Sequence, residues 1–150
     1  MFFFRDRRRY SDGEIALAEL HPGEAEPELG FGREYTFRIT PAGSRREAGQ
    51  ISLRLGESEG VYYFGHIGYH IDPPYRGKHW AEKACRLLVP LMREQGLESV
   101  VITCDLDNEA SRRTCERLGC VAERVVPVPA WLRKKYEVSA AKRRFVWRIG

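Results

Sequence analysis

The chain has 150 residues, 43 % of them apolar, 31 % charged and 11 % aromatic, with a formal charge of +4 and four cysteines. That length suits one domain over residues 1–150 with a substantial core, and the composition excludes a disordered chain. No apolar run approaches the roughly 20 residues of a membrane helix, and charge follows Phe2-Phe3-Phe4 too early for a signal peptide. A cytoplasmic location without membrane contact is the expectation.

The reading in chain order begins with a short strand near Glu14–Leu20. A turn-rich acidic stretch with Glu24, Glu26 and Glu28 follows as a loop. Residues 33–40 alternate Tyr35, Phe37 and Ile39 and stop at Pro41, which is strand behaviour. Pro41-Ala42-Gly43-Ser44 turns the chain into a second strand with Ile51, Leu53 and Leu55 in alternation. Gly56–Gly60 turns it again into a third, Val61–Ile71, where Gly65 and Gly68 mark a bulge or a close backbone approach. After Pro73-Pro74 the period changes. Ala81, Ala84, Leu88, Leu91 and Met92 form one apolar stripe on a helix over 78–95, kinked at Pro90 and stopped at Gly96. Residues 98–104 read as a buried strand. Asp107 or Asn108 caps a second helix that runs to Leu118 and ends at Gly119. Strands near Val121–Val126 and Arg144–Ile149 close the chain, separated by a basic, aromatic loop with Trp131 and Tyr136.

The expected fold class is therefore α/β: a mixed sheet made of an antiparallel meander followed by α-β-α-β-β, with helices packed on it. All-β and helical-bundle folds are excluded.

Cys85, Cys104, Cys115 and Cys120 are spaced singly. They make no Cys-x-x-Cys pair and match no common zinc spacing, so buried free thiols and no metal are expected. Charge is uneven. Residues 1–75 hold 9 basic and 12 acidic residues, and residues 76–150 hold 16 basic and 9 acidic. The second half thus suits an anionic partner, although a solvated basic face would read the same way.

The strongest local signal is Ile71-Asp72-Pro73-Pro74-Tyr75-Arg76-Gly77-Lys78-His79-Trp80-Ala81. A strand ends, two prolines turn the chain, and a Gly-containing basic loop opens a helix. Free N–H groups at such a helix start bind phosphate oxygens, and Arg76 and Lys78 add charge there. Neither the P-loop pattern nor the dinucleotide Gly-x-Gly-x-x-Gly is present. An ordinary strand–helix turn is the alternative.

This run resembles the pyrophosphate loop of the GNAT superfamily of acetyl-CoA-dependent N-acyltransferases, Gln/Arg-x-x-Gly-x-Gly/Ala. Arg76 and Ala81 match its ends, and His79 stands where Gly is usual. A second element, from Asn108 to Cys120, resembles the family's Asn-x-x-(Ala/Ser)…Tyr-Glu-x-Leu-Gly-Phe helix, with Cys115 at the usual Tyr position and Cys120 at the usual Phe position. The two motifs lie about 30 residues apart across a helix and a strand, and the resemblance covers about Ala48 to Val126. It implies a GNAT-like central sheet and acetyl-CoA as cosubstrate. Ile71, Arg76, Gly77, Lys78, His79, Trp80, Ala81, Asn108 and Ser111 would bind the cofactor. Pantetheine would run beside the strand ending at Ile71, with the thioester carbonyl near the Ile71 N–H.

Acetyl transfer to an amine needs a base for the amine and a proton for the leaving thiolate. Cys115 is the expected acid, with an acyl-cysteine or a packing role as alternatives. His66 is the expected base, with a structural histidine, Glu34, Tyr63 or a water as competitors. The partner set is acetyl-CoA and an amine-bearing small molecule or peptide, with a homodimer left open. A catalytically inactive acyl-CoA-binding module is the alternative function. A nucleic-acid reading would rest on Arg7-Arg8-Arg9, Arg133-Lys134-Lys135 and Lys142-Arg143-Arg144, runs without an aromatic stacking pattern.

Overall fold

The computed structural model describes residues 7–20 and 29–150. Its N-terminal meander follows the alternation of apolar residues. Strands β1 (Arg9–Ser11), β2 (Ile15–Glu19), β3 (Arg33–Pro41) and β4 (Gly49–Leu55) each pair antiparallel with the next. Helix α1 (Glu59–Phe64) precedes β5 (Ile67–Ile71), which pairs antiparallel with β4. Helices α2 (Trp80–Leu87) and α3 (Val89–Glu94) lead to β6 (Ser99–Asp105), and α4 (Glu109–Leu118) to β7 (Val121–Pro127). Helix α5 (Ala130–Tyr136) and β8 (Ala141–Arg148) complete the described chain. The eight strands form one mixed sheet in the order β1-β2-β3-β4-β5-β6-β8-β7.

The core sits on the sheet face that carries Phe37, Ile39, Ile51, Leu53 and Ile102. It packs against Ala84, Leu88, Leu91, Met92 and Cys115 of the helices. A smaller cluster of Leu29, Val128 and Leu132, with Tyr63, Phe64 and Tyr136 against it, covers part of the other face under α1 and α5.

Three expectations from sequence are corrected. Val61–Ile71 is not one strand. The Ser58 side chain accepts from the Val61 N–H and starts α1, with Glu59 in the first turn, so Val61 to Phe64 coil before β5 begins. The 78–95 helix is two helices meeting at Leu88, because Pro90 has no N–H to continue the first and sits instead in the first turn of the second. The basic loop contains α5, whose Leu132 is buried under Tyr136 and Val128. The second helix is as read, with Asn108 as N-cap and Gly119 as left-handed terminator at φ 82°. The acidic residues Glu24, Glu26 and Glu28 lie outside the described residues.

Much of the basic sequence is engaged within the protein. The Arg8 guanidinium donates to Glu94 at 2.7 Å, and Lys142 donates to Asp105 at 2.6 Å. Buried Arg144 donates to Glu123 at 3.0 Å and lies over the Tyr62 ring. These contacts answer for members of the Arg7–Arg9 and Lys142–Arg144 runs without a nucleic acid.

Candidate active site

The central feature is a sheet that opens. Strands β5 and β6 run parallel, and their pairing is confined to Ile67 opposite Ile102. His66 and Asp72 fix which way the β5 backbone points. The Arg54 N–H donates to the His66 carbonyl, and the Asp72 N–H donates to the Ala48 carbonyl, so even positions of this strand face β4. Tyr69 and Ile71 therefore direct their N–H and C=O groups toward β6, beyond the last paired position. Such groups need partners. One has been found: the Ile71 carbonyl accepts from Nε of Arg76 at 2.7 Å.

The parallel pair is closed at its lower end by His66. Its backbone N–H donates to the Val101 carbonyl at 2.8 Å, and its Nδ1 accepts from the Val101 N–H at 2.9 Å. In the neutral ring the proton then sits on Nε2, leaving no free lone pair. Burial and the Arg144 charge push its pKa down. His66 lines neither cleft at the opening, so in this arrangement it is a strand clamp rather than the expected base. Gly65 permits the clamp: it has φ 78°, and a Cβ there would lie 2.8 Å from the Val101 carbonyl oxygen.

Two clefts meet at the opening. One, of about 500 Å³, lies between the start of α2 and α4 and is lined by Ile71, Arg76, Gly77, His79, Trp80, Ala81, Thr114, Arg113 and Arg117, among others. The second, of about 360 Å³, lies on the other face of the sheet over Ser52, Arg54, Gly68, Thr103, Asp105 and Lys142. Tyr69, His70, Asn108 and Ser111 line both.

The start of α2 is built to hold an anion. His79, the N-cap, makes no side-chain capping bond, so the first-turn N–H groups of Trp80, Ala81 and Glu82 lack helical acceptors. Gly77 at φ 85° and His79 at φ 60° are both left-handed. The left-handed angle at 79 is the physical reason a Gly is usual there, since an L side chain in that conformation costs about 1–2 kcal/mol. Lys78 is not among the lining residues; its ammonium lies 5.1 Å from the centre of the Trp80 ring, which stacks on Tyr75. Trp80 is itself pinned by donating to Glu14 at 3.1 Å. Arg113 and Arg117 were not singled out from the sequence. The signal was present in their spacing, because Ala110, Arg113, Thr114 and Arg117 share one face of a helix.

Asn108 lies at the junction, where its side-chain oxygen accepts from the Ser111 N–H at 3.1 Å. Ser111 Oγ is 2.7 Å from Tyr69 Oη, which ties α4 to the free part of β5. Burial raises the Tyr69 pKa, so this phenol stays protonated. Cys115 is placed differently from the expectation. It is completely buried in the core and lines neither cleft; the neighbouring Cys120 thiol and burial push its pKa up. Seven residues from Asn108 put it near the same helical face, but the helix turns just enough to aim it at Cys85 and the sheet. Its position is that of a packed core thiol. The hydroxyl-bearing residues Tyr69 and Ser111, not Cys115, line the clefts on this side of α4. Among the described residues no His, Cys, Asp and Glu cluster could hold a metal ion, and no helix is long and apolar enough to cross a membrane.

A split mixed sheet, a helix start open to anions and a capped second helix together define an α/β fold with an anion-accepting cleft at the opening of its sheet. A family model described as the acetyltransferase (GNAT) domain matches residues 7–121, and the chain belongs to that family. The match starts well before Ala48, so the N-terminal strands are part of the domain despite carrying little of the motif resemblance. No curated protein matches the sequence. Among solved structures, the microcin C7 self-immunity acetyltransferase MccE, in complex with acetyl-CoA and AMP, is 22 % identical with a TM-score of 0.59, over 77 % of this chain and 61 % of that one. The Salmonella typhimurium acetyltransferase that modifies the N-terminal serine of ribosomal protein L7/L12 is 19 % identical with a TM-score of 0.61, over 79 % of this chain and 66 % of that one. A candidate acetyltransferase is 18 % identical with a TM-score of 0.65, over 99 % of this chain and 89 % of its own. These likenesses are in fold. The present chain spans under two thirds of the first two.

Proposed function

We propose that this protein is an N-acetyltransferase that moves an acetyl group from acetyl-CoA to a primary amine of a small molecule or peptide. The observation that carries the reading is the opening between β5 and β6, where Tyr69, which lines both clefts, and the N–H of Ile71, which lines the first, lie beyond the last paired position. The pyrophosphate would take the free N–H groups at the start of α2, with Arg76, Gly77, His79, Trp80 and Ala81 around it. Arg113 and Arg117 add positive charge farther along the same cleft. Pantetheine would pair with the free side of β5 as an added strand, passing Asn108 and Ser111.

Acetyl-CoA supplies the thioester. The amine, entering from the second cleft, forms the C–N bond as the C–S bond breaks; the amine loses one proton and the thiolate gains one. The backbone N–H of Ile71 would stabilise charge on the carbonyl oxygen. The Tyr69–Ser111 pair would meet the leaving sulfur, with Ser111 Oγ as the proton donor to the thiolate and Tyr69 Oη behind it. His70, whose imidazole lines both clefts beside Asp72, would be the base, either directly or through a water in the second cleft. The bound acetyl-CoA of the MccE structure and the shared fold support the cosubstrate.

The test has two parts. Calorimetric titration with acetyl-CoA should give saturable binding, and thiol detection against a panel of amines and peptides should give turnover. Binding without turnover by any acceptor would move the assignment to a binding module. No binding at millimolar acetyl-CoA would end the reading.

A further inference from the structure

The second cleft contains a cation with an unusual environment. Arg54 projects from β4 onto the sheet face away from the main core, and its guanidinium lies directly over Gly68, where any side chain would displace it. Nη1 donates to the Phe64 carbonyl at 3.1 Å, and the guanidinium carbon lies 5.2 Å from the centre of the Phe31 ring. Nε is buried without a hydrogen-bond partner. Nη2, the nitrogen over Gly68, has no hydrogen bond among the described residues either. Glu34, its cross-strand neighbour, acts on the guanidinium through space, but no carboxylate lies within ion-pair distance of Arg54 among the described residues. The other charges in the cleft are already spent on each other: Lys142 donates to Asp105, which also accepts from Ser139 at 2.7 Å. A largely buried guanidinium with an unmet donor is costly to maintain unless something pairs with it.

Resting on the transferase reading above, we infer that the acceptor carries an anionic group, a carboxylate or a phosphate, that pairs with Nη2 of Arg54 while its amine reaches the opening at Ile71. Gly68 and Ile71 are three strand residues apart, about 10 Å. The anion therefore lies several bonds from the amine. The carboxylate of a free α-amino acid is too close to its own amine to span that distance. An extended peptide with an acidic residue near its N-terminus, or an ω-amino acid, has the required length. Gly68 serves the same end twice: it leaves room for the acceptor and lets the guanidinium lie flat on the strand.

The experiment compares acceptors that differ only in charge. Three-residue peptides with a free N-terminus, an amidated C-terminus and Glu or Gln in third place, and ω-amino acids with their carboxamides, are assayed by thiol release with the wild-type protein and with Arg54→Gln and Arg54→Lys. The expected result is a kcat/KM at least tenfold higher for the carboxylate forms, lost in Arg54→Gln and partly kept in Arg54→Lys, with acetyl-CoA affinity unchanged. Equal rates for both forms, or a preference that survives Arg54→Gln, overturn the inference. Where no acceptor in the panel reacts, inorganic phosphate is titrated into the protein saturated with CoA. Saturable binding absent in Arg54→Gln but present in Arg76→Ala upholds the anion site, and no binding, or binding insensitive to Arg54, removes it. Failure to bind acetyl-CoA would instead count against the transferase reading, and the phosphate titration of Arg54→Gln against Arg76→Ala still decides the anion site.

Discussion

Tyr69 Oη and Ser111 Oγ stand 2.7 Å apart, one on the strand that loses its partner and the other on the first turn of α4. Each lines both clefts, so this hydroxyl pair sits where a cosubstrate and an acceptor would meet. The bond also orients Ser111, whose N–H is held by Asn108.

Ser111→Ala should lower turnover by about 10²–10⁴-fold while leaving acetyl-CoA affinity within a few-fold, because only the proton donor is lost. Tyr69→Phe should lose less, since it removes the partner of the donor and not the donor. Steady-state rates alongside calorimetric titration separate the two effects. Cys115→Ala is the counterpart: as a core thiol it should cost about 1–2 kcal/mol of stability by leaving a small cavity, with turnover close to normal. A Cys115→Ala protein of full stability and no turnover would return the acid role to the thiol.

Acetyl-CoA affinity should depend on Arg76 and Arg113 more than on Lys78. Arg76→Ala and Arg113→Ala should each cost about 1–3 kcal/mol in binding, as charge-assisted contacts to phosphate do. Lys78→Ala should cost less, because the ammonium rests on Trp80 and not in the cleft. Titrations at two salt concentrations check the assignment, since loss of a phosphate contact weakens the salt dependence. Equal losses at all three positions would mean that Lys78 swings into the cleft on binding.

His79→Gly should stabilise the protein. The wild-type side chain is held at φ 60°, ψ 27°, and its imidazole makes no capping bond. Relief of the left-handed strain should exceed the added chain entropy by up to about 1 kcal/mol. Acetyl-CoA binding should persist, because the phosphates need the backbone N–H groups. Thermal unfolding of the two proteins reads the difference; a lower midpoint for the Gly variant would show that the imidazole makes a contact worth more than the strain.

Stability should fall as pH drops below about 6.5, the ordinary histidine value. Burial holds the His66 pKa below that value in the folded protein, so the unfolded chain takes up the proton first. The His66 contribution is complete above pH 6.5 and is lost as pH falls through the lower folded value, where a protonated Nδ1 would face the Val101 N–H donor. The carboxylates held low by their partners, Asp12, Glu82 and Asp105, add their loss only at more acidic pH. Denaturant midpoints measured between pH 8 and pH 5 should decline for the wild type and flatten in His66→Gln. An equal slope in both proteins would show that another group titrates in that window.

Local chemistry was legible in the sequence wherever a residue acts through its own backbone preferences. The Asn108 cap and Gly119 stop, the alternation of Tyr35, Phe37 and Ile39, and the proline turn before Arg76 follow from rules that span a few residues, and they place the loop before α2 and the mixed sheet. The same rules misread Val61–Phe64, where aromatic β-formers were turned into a helix by one serine cap and the packing of Tyr63 and Phe64 on the Leu29, Val128 and Leu132 cluster. The rest was decided by contacts between distant residues. Whether His66 offers a lone pair depends on Val101, 35 positions away; whether Cys115 meets the cleft depends on the rotation of α4 against the sheet. The burial of Arg54 without a close ion pair depends on Gly68, across the strand pair. Periodicity assigns a side chain to one face of its own element, but its partners, its protonation state and its access to solvent are properties of the elements packed against it.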